Sequence, residues 1–161
     1  MSRVTEIRCV GYGVKEFDAE KAFYAEVWGL EPVGEDETRA WFKAPGHDEH
    51  HVVQLRKAEE NRIDVIALAA DSRVDVDALR ARVEAEGCKV VSEPAELTSP
   101  GGGYGFRFFS PDGLLFEISS DVARGAKRAV ERWEGVPVKI SHIVLHSPDH
   151  QALVKFFCDV L

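Results

Sequence analysis

The sequence is short of three features that would each have pointed to a particular class of protein. It has no run of roughly 18 apolar residues, so the pattern does not predict a membrane-spanning helix. Lys and Arg number 20 against 28 Asp and Glu, and the net charge of −8 argues against nucleic acid or an anionic membrane as partner. Cysteines are few, odd in number and far apart, at Cys9, Cys88 and Cys158. This excludes a disulfide framework and predicts free thiols in a reducing cytoplasm.

The stretch from Gly105 to Ser119 is the part around which the rest of the chain is most easily organised. It reads as two short apolar strands joined by a tight turn at Pro111-Asp112-Gly113. Glu117 is the unusual residue, because a carboxylate between Phe116 and Ile118 needs either an outward face or a partner. Two interpretations stay open at this point: a solvated edge residue, or a position suited to a metal ligand.

An internal repeat organises the first 120 residues. The order strand-helix-strand-strand-strand is predicted over residues 4–57 and again over residues 61–119. The glycines that end the two helices, Gly29 and Gly87, lie 58 residues apart. The sequence therefore predicts an α+β first domain over residues 1–120, built from two βαβββ modules with mixed sheets and with the helices outside.

After this domain the sequence predicts a connector and then a third start of the same pattern. Residues 121–137 look like a short polar connector helix. Residues 138–161 restart the module, because Phe156-Phe157 aligns on Phe23-Tyr24 at an offset of 133 residues. We therefore expect residues 138–161 to be the beginning of a truncated second domain in a longer repeat protein. Its apolar side chains should dock on the first domain or pair with another copy of the chain.

The ordered set of these motifs resembles the vicinal oxygen chelate superfamily of glyoxalases, bleomycin-resistance proteins and extradiol dioxygenases. The resemblance rests on the repeat, on residues 142–149 (HIVLHSPD) and on residues 111–117 (PDGLLFE). Residues 50–56 (HHVVQLR) are similar to the extradiol branch in particular, as is the two-module layout. The resemblance implies the glyoxalase/bleomycin resistance/dioxygenase fold of paired βαβββ modules.

The extradiol branch implies a metal site in the second domain. There a 2-His-1-carboxylate triad binds Fe(II), which takes a catechol-type diol and dioxygen at its open positions. His142 corresponds to the first ligand, and the other two positions would follow Leu161. The matching positions in the first domain are Cys9, Val65 and Glu117, so only the carboxylate is kept. Glu117 is then a vestigial metal position, and no metal is expected on this 161-residue chain.

The remaining histidines carry weaker expectations. His146 falls on the same face of the predicted strand as His142, as a residue that would support a ligand without binding the metal. Asp149 is best interpreted as the N-cap of the following helix. Three further histidines are interpreted as exposed loop or strand-edge residues: His47, His50 and His51. No catalytic residue can be named from the sequence.

Three functions stay open. The first is an extradiol ring-cleavage dioxygenase of aromatic degradation, of which this chain is the metal-free first domain and the start of the catalytic one. As an isolated chain it would be inactive, and a homo-oligomer is expected. The second is a metal-free small-molecule binding protein of the glyoxalase/bleomycin-resistance type, acting as a dimer. The third is a scaffold that only pairs subunits.

Overall fold

The computed structural model describes residues 2–161 and contains both repeats as helices and strands. The strands are β1 Val4–Val14, β2 Glu31–Glu35, β3 Arg39–Lys43, β4 Val53–Lys57, β5 Arg62–Ala70, β6 Val90–Glu96, β7 Tyr104–Phe109 and β8 Leu115–Ser120. The helices are α1 Phe17–Ala22, which continues as a π-helical turn over Phe23–Val27, α2 Arg73–Ala85 and α3 His150–Asp159. Within residues 2–161, no helix is both long and apolar enough to cross a membrane.

The chain divides into two compact units. The first unit comprises Arg8–Asp64 and Ala123–Ser141, and its strands are hydrogen-bonded in the order β2-β3-β4-β1. The second unit comprises the chain up to Ile7, Val65–Val122 and His142–Leu161, with strand order β5-β8-β7-β6. In each unit one strand pair is parallel, β1 with β4 or β5 with β8, and the other pairs are antiparallel. The predicted α+β fold with mixed sheets is confirmed.

The first unit has its own apolar core and a helix that begins earlier than predicted. Asp18 lies directly before the helical pattern of apolar residues, which predicts it as the N-cap, but α1 begins at Phe17, and Glu16 occupies the cap without a side-chain hydrogen bond. The buried Phe17 ring decides where the helix begins, because it anchors the first turn in the core. The helix ends at Gly29, whose φ of 69° is a left-handed conformation that favours glycine.

The second unit is built on three phenylalanines that are almost wholly buried, Phe106, Phe108 and Phe116. Their rings stack at centroid distances of 5.7 and 5.8 Å, and the apolar stripe of α2 covers them. The N-cap of α2 is Ser72, whose hydroxyl accepts a hydrogen bond from the backbone of Asp75 at 3.2 Å. Asp75 directly precedes the apolar stripe of α2 in the sequence, which predicts it as the cap, but it is the third helical residue.

The prediction of a connector helix over residues 121–137 is wrong. That segment is irregular and is held along the first unit by hydrogen bonds from its backbone and side chains. Gly125 donates a backbone hydrogen bond to Asp48 at 2.7 Å, and Arg128 donates one to Pro45 at 3.0 Å. A Cβ added to Gly29 would lie 2.6 Å from a methyl group of Val136, which shows how closely the chains approach. These tertiary contacts outweigh a weak helix propensity.

The segment before α3 is extended but is not part of a sheet. A strand was predicted there, and the expected alternation is present: Ile143 and Leu145 are half-buried, whereas His142, Val144 and His146 are exposed. No strand is assigned over residues 140–147, because none of residues 2–161 forms a ladder with them. The burial of Ile143 and Leu145, without any strand pairing, therefore determines which way the side chains of this segment point.

Helix α3 packs in the core of the second unit. Asp149 is its N-cap, as predicted, and its side chain accepts a hydrogen bond from the backbone of Ala152 at 3.0 Å. Phe156 is buried and lies 6.1 Å from Phe108, centroid to centroid. The backbone of Val4 donates a hydrogen bond to the last carbonyl, that of Leu161, at 2.8 Å. Docking on the chain itself is the first of the two alternatives considered for this apolar segment.

Candidate functional site

Glu117 is buried and paired with an arginine. It lies opposite Arg107 in the antiparallel register of β7 and β8. The arginine Nε and Nη2 atoms lie 2.8 and 2.7 Å from the Oε2 atom of Glu117. The interpretation as a solvated edge residue is therefore wrong, since the Glu117 side chain is only 9% exposed. The carboxylate that was expected at a vestigial metal position has a guanidinium as its partner instead.

The other two counterpart positions are poor metal ligands. Cys9 is a buried cysteine on β1, and Val65 is a half-buried side chain on β5 that has no donor atom. Across residues 2–161, no three His, Cys, Asp or Glu side chains come close enough together to hold a metal ion. Residues 2–161 therefore do not fit a complete metal site.

His142 and His146 lie on the exposed side of the extended segment, four residues apart. Because Ile143 and Leu145 occupy the buried side, both imidazoles share the outward face, as the sequence predicted. Residues 2–161 bring neither imidazole into a three-residue metal cluster. Their roles as ligand and supporting residue stay predictions for a longer protein.

A buried ion cluster around Glu49 was not found by sequence reasoning. The side chain of Glu49 is 2% exposed, and its two oxygens lie 2.7 and 3.0 Å from Nη1 of the equally buried Arg8. Arg124, in the connector, approaches the Oε1 atom of Glu49 to 2.6 Å and pairs with the Glu49 backbone in an isolated antiparallel bridge. One carboxylate thus binds β1 and the connector to the loop before β4. No local pattern could reveal this, since its members are 41 and 75 residues apart.

Two adjacent histidines follow Glu49. The Nδ1 atoms of His50 and His51 are 3.0 Å apart, so one nitrogen donates a proton and the other accepts it. Burial, and to a smaller extent the nearby His50, lowers the pKa of His51 to about 4. His51 is therefore neutral at pH 7. The prediction that these histidines are exposed is wrong, because His47, His50 and His51 are all half-buried.

The second unit contains an apolar cavity of about 400 Å³ beside α3. Its floor is formed by Ile66, Leu68 and Phe116, and α3 and the extended segment form the walls. Phe116 and Glu117 are neighbours on one strand, so their side chains point to opposite faces of the sheet. The cavity therefore lies on the face of the sheet opposite to Glu117.

These observations define a class of protein: a mixed-sheet α+β fold made of two βαβββ modules, with a polar carboxylate on the last strand of the second. Residues 6–118 match the family described as the Glyoxalase/Bleomycin resistance protein/Dioxygenase superfamily. The chain belongs to this superfamily, as the resemblance of its motifs implied.

Individual relatives include both dioxygenases and a glyoxalase. The chain is 33% identical over 103 residues to a manganese-dependent 2,3-dihydroxybiphenyl 1,2-dioxygenase from Geobacillus genomosp. 3, a match that covers 63% of this chain and 32% of the relative. It is 83% identical to the Mn(II)-bound glyoxalase from Novosphingobium aromaticivorans, with a TM-score of 0.99 over 100% of this chain and 54% of that one. The chain shares its fold with homoprotocatechuate 2,3-dioxygenase from Arthrobacter globiformis, at 22% identity and a TM-score of 0.87. The match covers 99% of this chain and 50% of the dioxygenase chain. The chain thus spans about a third to a half of these proteins.

Proposed function

We propose that this chain is the N-terminal part of a longer, metal-dependent extradiol dioxygenase, and that its two modules form the domain without metal. The observation that carries the proposal is the third start of the repeat. His142 falls at the position of Cys9, at the same offset of 133 residues that relates Phe156 to Phe23. The extended segment and the capped helix α3 supply the opening strand-helix unit of a further module. The similarity to a manganese-dependent dioxygenase supports the same conclusion.

In this proposal His142 binds the metal, and Glu117 does not, because Arg107 already neutralises the Glu117 carboxylate. The metal is a divalent ion: Fe(II) is what the resemblance to the extradiol branch implies, and manganese is in the names of two relatives. The substrates are a catechol-type aromatic diol and dioxygen. His146, exposed on the same side as His142, supports the ligand from its flank.

The test is a His142→Ala substitution in a protein extended to the full length of the relatives. Loss of one of three protein ligands should reduce bound metal well below one equivalent and abolish dioxygen uptake with catechol. His47→Ala is the matched control, since it removes an imidazole far from this segment in the sequence, and it should leave both quantities unchanged. Unchanged metal content and turnover in His142→Ala would refute the assignment.

A second candidate is glyoxalase activity, which the 83% identity to the Mn(II)-bound glyoxalase favours. Oxygen dependence distinguishes the two, because ring cleavage consumes dioxygen and a glyoxalase reaction does not. We expect the extended protein to consume one dioxygen per catechol. Turnover of a glyoxalase substrate under nitrogen, with no oxygen uptake on catechol, would decide for the second candidate.

Homo-oligomerisation and a cytoplasmic location also belong to this proposal. None of the three cysteines forms a disulfide within residues 2–161, which suits a reducing compartment. Sedimentation of the 161-residue chain tests the oligomeric state. A dimer that binds an aromatic ligand without metal would instead support the metal-free binding protein considered from the sequence.

A further inference from the structure

The apolar cavity of the second unit is formed by three separate parts of the chain. Its floor is the outer face of β5 and β8, where Ile66 and Phe116 lie. Its walls are the extended segment, with Ile143 and Leu145, and helix α3, with Leu153. A volume of about 400 Å³ is within the roughly 300–1,000 Å³ of pockets that bind small molecules. The cavity therefore has the size and the walls of a ligand site.

One aromatic ring forms part of this wall. Phe157 is partly buried and lines the cavity, with its ring centroid 5.5 Å from that of Phe116, which is 1% exposed and lies beneath it. The Phe157 ring is therefore the aromatic surface that a ligand ring can contact. Aliphatic side chains, including Leu68 and Val154, supply the remaining contact surface. The lining thus favours a flat aromatic molecule.

Polar groups occur at one end of the cavity only, at Ser147 and His150. The Ser147 hydroxyl oxygen accepts a hydrogen bond from the backbone of Asp149 at 3.1 Å, so its own proton can still be donated. The exposed His150 ring forms no hydrogen bond to any other group among residues 2–161. A hydroxyl group on a ligand would find one donor and one ring nitrogen at this end, and no charged side chain lines the cavity.

We propose that this cavity binds a neutral aromatic molecule of one or two rings that carries a hydroxyl group, with the rings against Phe157 and the hydroxyl toward His150. The site is separate from the metal ligand of the proposed enzyme, because His142 lies on the exposed side of the extended segment, whereas Ile143 and Leu145 on its other side line the cavity. It does not rest on the proposed function, and it can be tested in the 161-residue chain itself.

The first experiment measures binding of 2-naphthol by equilibrium dialysis, with Ile143→Phe and Val144→Phe as a matched pair. Ile143 lines the cavity, whereas Val144 is 74% exposed on the other side of the same segment. We expect saturable binding of one naphthol to the wild-type chain. Filling the cavity with Ile143→Phe should weaken it by more than tenfold, and Val144→Phe should leave it unchanged. Equal affinity in all three proteins, or no saturable binding in the wild type, would overturn the proposal.

The second experiment tests the hydroxyl end with a variant that cannot disturb the core. His150→Ala removes an exposed ring, and loss of one hydrogen bond should weaken 2-naphthol binding about threefold to tenfold. Binding of naphthalene, which has no hydroxyl, should not change. Nuclear Overhauser contacts between naphthol protons and the methyl groups of Leu153 and Val154 would place the ligand directly. Contacts to other methyl groups only, or equal effects on both probes, would refute the assigned orientation.

Discussion

Arg107 and Glu117 lie opposite each other on β7 and β8, with the arginine Nε atom 2.8 Å from the glutamate Oε2 atom. The pair is unequal, because the side chain of Arg107 is 41% exposed and that of Glu117 only 9%. Water can therefore replace the partner of the arginine but not that of the glutamate. This asymmetry makes the consequences of the two single substitutions different.

We predict that Arg107→Met destabilises the chain more than Glu117→Gln does. The first leaves a buried carboxylate without its partner, which costs about 1–3 kcal/mol, whereas the second leaves an arginine that water can solvate. Urea denaturation of both variants measures the difference. Equal losses would contradict the asymmetry, and near-stoichiometric metal that disappears in Glu117→Gln would show that the carboxylate is a ligand.

The buried cluster at Glu49 should be a large contributor to stability in the first unit. Glu49→Gln removes the carboxylate charge that lies 2.7 Å from the buried guanidinium of Arg8, and we expect a loss of about 3 kcal/mol. Asp48→Asn is the control: its pair with Arg124 is longer, at 3.4 Å, and partly exposed, so the loss should stay below about 1 kcal/mol. A Glu49→Gln protein as stable as Asp48→Asn would show that the cluster contributes little.

The buried imidazole of His51 predicts a pH dependence of stability. Its pKa is about 4 in the folded chain, against an ordinary 6.5, so the unfolded chain binds the extra proton between these values. Stability is therefore complete above pH 6.5 and falls as the pH decreases toward 4, by roughly 3 kcal/mol in total. Urea midpoints at pH 7 and pH 4.5 test this. His51→Gln should flatten that part of the profile, and an unchanged slope would exclude His51 as its cause.

Helix α3 should be an integral part of the second unit. Phe156 is buried against Phe108, and its replacement by Ala should cost about 3–5 kcal/mol because it leaves a cavity. Val154→Ala, on the same helix but 59% exposed, should change stability by no more than about 0.5 kcal/mol. Thermal unfolding compares the two variants. Similar unfolding midpoints would mean that α3 contributes little to the stability of the second unit.

The repeated pattern of the fold could be predicted because the residues that specify each helix, strand and turn are close together in the sequence. Strand alternation, the helix-ending Gly29 and Gly87, and the turn at Pro111-Asp112-Gly113 each act over a few residues. The burial of Glu117 could be suspected from its apolar neighbours. Its partner could have been proposed too, since Arg107 lies on the adjacent strand of the same predicted hairpin.

Contacts between distant parts of the chain could not be predicted. The connector was assigned as a helix from its composition, but backbone bonds from Gly125 and Arg128 to the first unit give it an irregular path. The cluster of Arg8, Glu49 and Arg124 could not be predicted for the same reason, because its members meet only once both the sheet and the connector are in place. The cavity beside α3 likewise exists only after three parts of the chain have come together.

The hydrogen bond between Val4 and Leu161 has a consequence for synthesis on the ribosome. The second unit combines residues up to Ile7 with residues after Ser141, so its core stays open at Phe108 and Phe116 until α3 has left the exit tunnel. During that interval these rings are available to chaperones or to a neighbouring nascent chain. A nascent chain stalled with Val122 outside the tunnel but α3 still inside should therefore bind a chaperone, and a chain long enough to bring Leu161 outside should release it.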